Sequence, residues 1–235
     1  MFAANEQGPS FLYQNFDGRF VDRAVEYGVD DARQNGRGTA LADILYDGRL
    51  GIIIGNWNGY HRAYVPARHS FLDYATEAFR EPSLVRTVIS ADFDNDGFDE
   101  IFFNNIGQPN RMFRVRDGGV LEPVALSAAL EADGLGTGAA VADIDGDGVL
   151  DLLVAHGESA PQPLSLFRAA IDGPGRYLRI APLTGQGAPA RGATVILETD
   201  MRVHAKTIDA GSGYLCQMEP VAHYGLRDGE TVKSV

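Results

Sequence analysis

Two short stretches carry oxygen-bearing side chains at the spacing of a hard-cation site: ADFDNDGFDE (residues 91–100) and ADIDGDGVLD (residues 142–151). Calcium takes six to eight oxygens, and a tight loop supplies them from alternate side chains, one backbone carbonyl and a later carboxylate. In the first loop that donor set is Asp92, Asp94, Asp96, the carbonyl of Phe98, and Glu100. In the second it is Asp143, Asp145, Asp147, the carbonyl of Val149, and Asp151. Gly97 and Gly148 hold the sixth position, where the chain must turn sharply around the ion. An EF-hand would place a bidentate Glu at position twelve and a helix after it. Here that position is Phe103 or Val154, inside the runs IFF and LLV, so these loops join strands. Asp and Gly dominate turns in general, and one such loop alone would read equally well as a polar hairpin. Two copies sharing an acid at the ninth position point to two calcium sites.

The loops belong to a repeat. A third copy, TALADILYDGRLGIIIGN (residues 39–56), superimposes on the others with its first acid at Asp43, giving spacings of 49 and 51 residues between Asp43, Asp92 and Asp143. Periods of this size signal propeller blades or solenoids. Leu45 and Gly51 replace two ligands in that copy, leaving Asp43 and Asp47 with Arg49 close by, so it is expected to be a structural turn without calcium. Within each unit, short runs rich in β-branched and aromatic residues, such as GIIIGN, RTVISADF, EIFFNN and LDLLVA, are separated by turn residues and read as strands. Only the segments Arg23 to Tyr27 and Ala125 to Ala132 suggest helix, a turn or two each.

At 235 residues and 45% hydrophobic content the chain can bury a substantial core. No run reaches the ~18 apolar residues of a membrane span, and the first ten residues lack the basic and apolar regions of a signal peptide. The net charge is −12, and eight of the 32 acids are the proposed ligands, so two Ca²⁺ would bring it to −8. Such a chain repels nucleic acid and anionic lipid. Cys216 is the single cysteine, expected as a small buried side chain in a strand. The five histidines are dispersed, and Ser212 has no evident base, so no nucleophile and base pair is legible. Trp57 and Tyr60 read either as an exposed aromatic patch or, with more weight, as blade packing.

After IDGPGR the acidic loops stop and alternating runs begin: YLRIAPL, GATVILET, RVHAKTI and GYLCQM. These predict a small β-rich domain over 176–235, following blades over 10–172. The unit FLYQNFDGRFVDRAVEYGV, the phrase GRGTALADI and the two acidic loops resemble FG-GAP or VCBS repeats of integrin-α-type propellers. The tail, with RYLRI, ARGATV, DAGSGYLCQ and VAHYGL, resembles the ASPIC/UnbV domain. Together they resemble the cartilage acidic protein family and its bacterial relatives over nearly the whole chain.

That resemblance implies an all-β fold, a partial β-propeller followed by a small ASPIC/UnbV domain. It also implies a secreted or periplasmic calcium-binding protein with a binding or adhesion role and no catalytic centre, taking a protein or glycan partner. Three blades cannot close a ring. The chain is therefore expected to be part of a longer protein, or to be completed by another chain. Two further readings remain open: a structural subunit docked on a larger assembly, membrane assemblies included, and a calcium-dependent propeller lyase or glycosidase.

Overall fold

In a computed structural model that describes every residue except Ala210, Ser212 and Gly213, strands run through the whole sequence and each helix is a single turn. The Ser212 hydroxyl and the turn expected at Gly213 lie outside the described residues. An N-terminal sheet joins β1 (Phe2–Ala3), β2 (Phe11–Phe16) and β3 (Arg19–Asp22), and α1 (Ala24–Tyr27) follows it. Next comes a four-stranded meander, β4 (Gly36–Ala42), β5 (Gly51–Asn56), β6 (Arg62–Pro66) and β7 (Phe71–Asp73). After α2 (Glu77–Arg80) a second is built from β8 (Val85–Ala91), β9 (Glu100–Asn105), β10 (Arg111–Arg116) and β11 (Val120–Val124). A third meander has three strands, β12 (Gly136–Ala142), β13 (Asp151–His156) and β14 (Ser165–Phe167). The strands β15 (Arg176–Ile180), β16 (Thr194–Thr199), β17 (Val203–Thr207), β18 (Ala222–Leu226) and β19 (Val232–Ser234) form two more sheets, β15 with β18 and β16 between β17 and β19. The chain is all-β, a partial propeller of stacked antiparallel blades, with no closed barrel among the described residues.

The second strand of each blade explains the stacking. All six residues of β5 (GIIIGN) and of β9 (EIFFNN) are buried. Successive side chains of a strand point to opposite faces, so a run that is apolar throughout must be covered on both. Ile53 meets Phe79, Phe103 and Phe113 in the core between the first two meanders, while Ile52 and Ile54 pack the other way, with Ala24, Val29 and Tyr64. Likewise Ile101 and Phe103 serve one core and Phe102 the next, beside Ile89, Leu152 and Val154. The first two meanders are therefore each covered on both faces.

Several expectations need correction. The helix α2 was not foreseen; Thr76 caps it by accepting the Phe79 N–H at 3.3 Å, and the wholly buried Phe79 ring sits 5.0 Å from Phe103. The segment from Ala125 forms only a 3-10 turn over Ala128–Leu130. GYLCQM forms no strand over its described residues, because Leu215 takes a φ of 52°, which interrupts an extended run. Cys216 is consequently half-buried and outside any strand.

The innermost strands approach closely. A Cβ on Gly38 of β4 would lie 2.7 Å from the Val88 N and 2.9 Å from the Thr87 carbonyl carbon, backbone atoms of β8 with no freedom to yield. Gly38→Ala is expected to destabilise the fold by about 1–3 kcal/mol. The readout is a lower denaturant midpoint at unchanged slope. An unmoved midpoint would contradict the packing of these two strands.

Candidate functional site

The inner strands β4, β8 and β12 each end in an alanine and pass the chain to the first acid of a loop: Asp43, Asp92 and Asp143. In all three loops the Oδ2 of that acid accepts the N–H of the loop glycine, Gly48 at 2.8 Å, Gly97 at 3.0 Å and Gly148 at 3.1 Å. Gly97 and Gly148 have φ of 87° and 86°, the left-handed region that side chains with a Cβ disfavour. The two intact loops then repeat one hydrogen-bond pattern. Asp94 and Asp145 accept from the amides of Asp96 and Asp147. These in turn accept from Phe98 and Val149. The ninth-position acids reach back, Glu100 to the Phe93 N–H at 3.0 Å and Asp151 to that of Ile144 at 3.1 Å.

What remains after these bonds separates the intact loops from the eroded one. Oδ1 of Asp92 and Oδ1 of Asp143 are buried with no hydrogen-bond partner. The corresponding Oδ1 of Asp43 accepts the Asp47 N–H at 3.2 Å, so both its oxygens are engaged by backbone, and Arg49 pairs with Asp47. A buried carboxylate oxygen left bare is costly unless something positive meets it. Carboxylate oxygens of Asp92, Asp94 and Glu100 lie within 4.8 Å of one another, as do those of Asp143, Asp145 and Asp147. One ion bound at ~2.3–2.6 Å from each oxygen would bridge such a span. Asp96 and Asp151 stand outside these triplets. Arg114 lies 3.6 Å from Asp96, and Arg168 lies 3.5 Å from Asp151. Phe98 and Val149 occupy the seventh positions, and the Phe98 ring packs edge-on to Tyr46 at 5.3 Å.

The electrostatics of the first loop are those of several carboxylates crowded into a buried site. Burial, opposed by Lys206 and reinforced by Asp99, Asp96 and Asp94, pushes the Asp92 carboxyl up to about 7. Burial and then Asp94 push Glu100 up to about 8. Asp94 is raised as well, by burial and Asp96. Arginines offset part of this negative charge. Arg114 donates from Nε to Glu100 at 2.7 Å and from Nη2 to Asp94. In the second loop Arg168 pairs with Asp145 at 2.7 Å and Arg179 with Asp143 at 2.5 Å.

The loop spacing does not reveal what covers the loops, and the structure does. Strands from the C-terminal sheets lie over all three first-position acids. The Ala205 N–H of β17 donates to Asp43 Oδ2 at 3.0 Å, and the Gly225 N–H of β18 to Asp92 Oδ2 at 3.0 Å. Arg179 of β15 takes the corresponding place at Asp143. The buried Arg202 guanidinium bonds the carbonyls of Gly97 and Gly225 and the Glu230 carboxylate, joining loop to sheet. Asn95 donates to the carbonyls of Gly148 and Pro174, and its Oδ1 accepts the His223 Nε2–H at 2.6 Å. Two of the residues in this cap, His223 and Gly225, fall within the phrase HYGL. Trp57 resolves as packing, half-buried between the guanidiniums of Arg37 at 4.3 Å and Arg86 at 4.7 Å, whereas Tyr60 is 56% exposed.

Residues 69–154 match the family described as FG-GAP-like repeat, and residues 183–235 match the one described as ASPIC and UnbV. Over 98% of its length the chain is 52% identical to cartilage acidic protein 1 of Homo sapiens. It is 51% identical to the Xenopus tropicalis protein of that name over 98% of the chain, and 51% identical to the Mus musculus one over 96%. The chain spans 37–38% of the length of these relatives. No helix among the described residues is long and apolar enough to cross a membrane. Two such regions in series on stacked β-meanders make the chain an FG-GAP-like repeat protein with a C-terminal ASPIC and UnbV region, similar over nearly its whole length to the cartilage acidic proteins.

Proposed function

We propose that the chain is a calcium-stabilised, non-catalytic binding module acting outside the cytoplasm, with one Ca²⁺ in each intact loop. The observation that carries this reading is the bare, buried Oδ1 of Asp92 and of Asp143, set against the fully engaged carboxylate of Asp43. The first ion would be held by Asp92, Asp94, Asp96, Glu100 and the Phe98 carbonyl. The second would be held by Asp143, Asp145, Asp147, Asp151 and the Val149 carbonyl. An all-oxygen donor set suits a hard cation over metals that select nitrogen or sulfur. The bound ion would supply the positive charge that the raised carboxyls of Asp92 and Glu100 lack.

On this reading the blades over 10–172 and the unit over 176–235 are two domains meeting at the loops, and a protein or glycan partner is met elsewhere on the surface. The relatives are named for cartilage, which favours an extracellular setting. Calorimetric titration with metal analysis tests the reading. Two calcium ions per chain are expected, one after Asp94→Ala, one after Asp145→Ala, and still two after Asp47→Ala. A chain that binds none, or keeps both in either single loop variant, would overturn it.

A further inference from the structure

A groove of about 310 Å³ opens between the second and third blades, beside both acidic loops. Its apolar wall includes Met112, Leu126, Leu152 and Phe167, which border the core shared by those blades. Arg114 and Arg168 also line it, one associated with each loop. Arg114 reaches Asp94 and Glu100, and Arg168 reaches Asp145 and Asp151. Asp94 and Glu100 line the slot as well, so its two guanidiniums stand balanced against loop carboxylates.

We infer that this groove is a calcium-gated site for an acidic residue flanked by apolar ones on a partner protein. The inference rests on the calcium reading above. The carboxylates that now hold the two arginines are the loop acids, and a divalent ion on each loop takes over those same oxygens. The Coulomb attraction holding each guanidinium against its loop then falls. Arg168 is 56% exposed at its side chain, and both arginines already border the groove. A guanidinium presents a planar fork of donors that matches a carboxylate with two parallel hydrogen bonds. The apolar wall gives no purchase to a ligand that is charged all round, such as a sulfated sugar, but buries an aliphatic or aromatic neighbour of the acid. The volume stands at the small end of ligand pockets, enough for two or three side chains. Without calcium the loop acids occupy the arginines, and the slot offers only its wall.

The probe is fluorescein-Leu-Glu-Phe-amide, followed by fluorescence anisotropy against the full chain in saturating calcium and in chelator, with calcium content measured in parallel. Saturable binding in calcium is expected. It should weaken about tenfold or more in chelator, with the neutral fluorescein-Leu-Gln-Phe-amide, and in Arg168→Gln, a factor ordinary for losing a charge-assisted pair. Equal binding of the Glu and Gln probes would overturn the inference. So would the absence of saturation at millimolar protein in a chain shown to carry two calcium ions, a result that leaves the calcium reading intact. A chain that takes up no calcium overturns both, and metal analysis tells the two failures apart.

Discussion

Chelation of calcium is expected to lower the melting temperature of this chain by roughly 8–16 °C for each loop that is emptied. A ligand that binds only the folded state stabilises it by about 4 kcal/mol when present at a thousand times its Kd. In a chain of this size about 1 kcal/mol moves the melting temperature by roughly 2–4 °C. The local reason is geometric. Asp92 is 1% exposed, and its Oδ1 has no donor once the loop glycine and Gly225 have bonded Oδ2. Calorimetric scans with calcium and with EGTA at one protein concentration measure the difference. Magnesium should restore little, because it demands a near-ideal octahedron and dehydrates reluctantly. Superimposable scans with and without chelator would remove the basis for calcium at these loops.

The second large effect is acid sensitivity from three buried histidines. His61, His204 and His223 are 0%, 1% and 4% exposed. Burial holds them down, to about 3 for His61 and His223 and to about 4 for His204, where Asp99 partly opposes the fall. His61 is locked as the neutral ring, with Nδ1 accepting the Asn56 N–H at 3.0 Å and Nε2 facing Ser83 Oγ at 3.0 Å.

A depressed folded value means the stabilisation is complete above the unfolded value of ~6.5 and is lost as pH falls toward the folded value. At pH 5 the unfolded chain binds these protons and the folded chain does not, which costs on the order of 2 kcal/mol per ring. Raised acids such as Asp92 run the opposite way in the metal-free chain, with stability lost as pH rises. The clean measurement is therefore a difference. His61→Gln should flatten the slope of unfolding free energy against pH, between about 6.5 and 4, by close to one proton. An unchanged slope would show that His61 titrates normally in the fold.

The loops, the repeat and most strands could be read because each is a local property. Asp at alternate positions, Gly at the sixth, and a run such as IFF record one loop and one doubly covered strand. The weakness of the first copy was legible too, since Leu45 and Gly51 stand where ligands would be, and the structure supplies the detail that backbone N–H groups take both oxygens of Asp43. The outer strands β7 and β11 escaped notice because FLD and VLEPV are short and partly exposed, with no alternation long enough to show. The helix α2 is four residues whose only marks are Thr76 and one buried ring. The covering of the loops by β15, β17 and β18 was invisible for a different reason. Gly225 and Ala205 contribute backbone N–H groups, which every residue other than proline carries, so nothing in the side chains announces the bond.

Asp92 and Gly225 are separated by 133 residues, and Asp43 and Ala205 by 162. During synthesis the loops therefore leave the ribosome well before the strands that will roof them. A blade can fold from neighbouring strands and load its ion while the outer face of the loop is still open to water. Once β18 settles, an ion held at Asp92 would lie beneath the Gly225 hydrogen bond, which must open before it can leave. Exchange of metal at that loop would then be paced by local opening of the C-terminal sheet rather than by the loop itself. Loading early and releasing slowly would make the calcium a lasting part of the mature protein, indifferent to brief falls in its concentration.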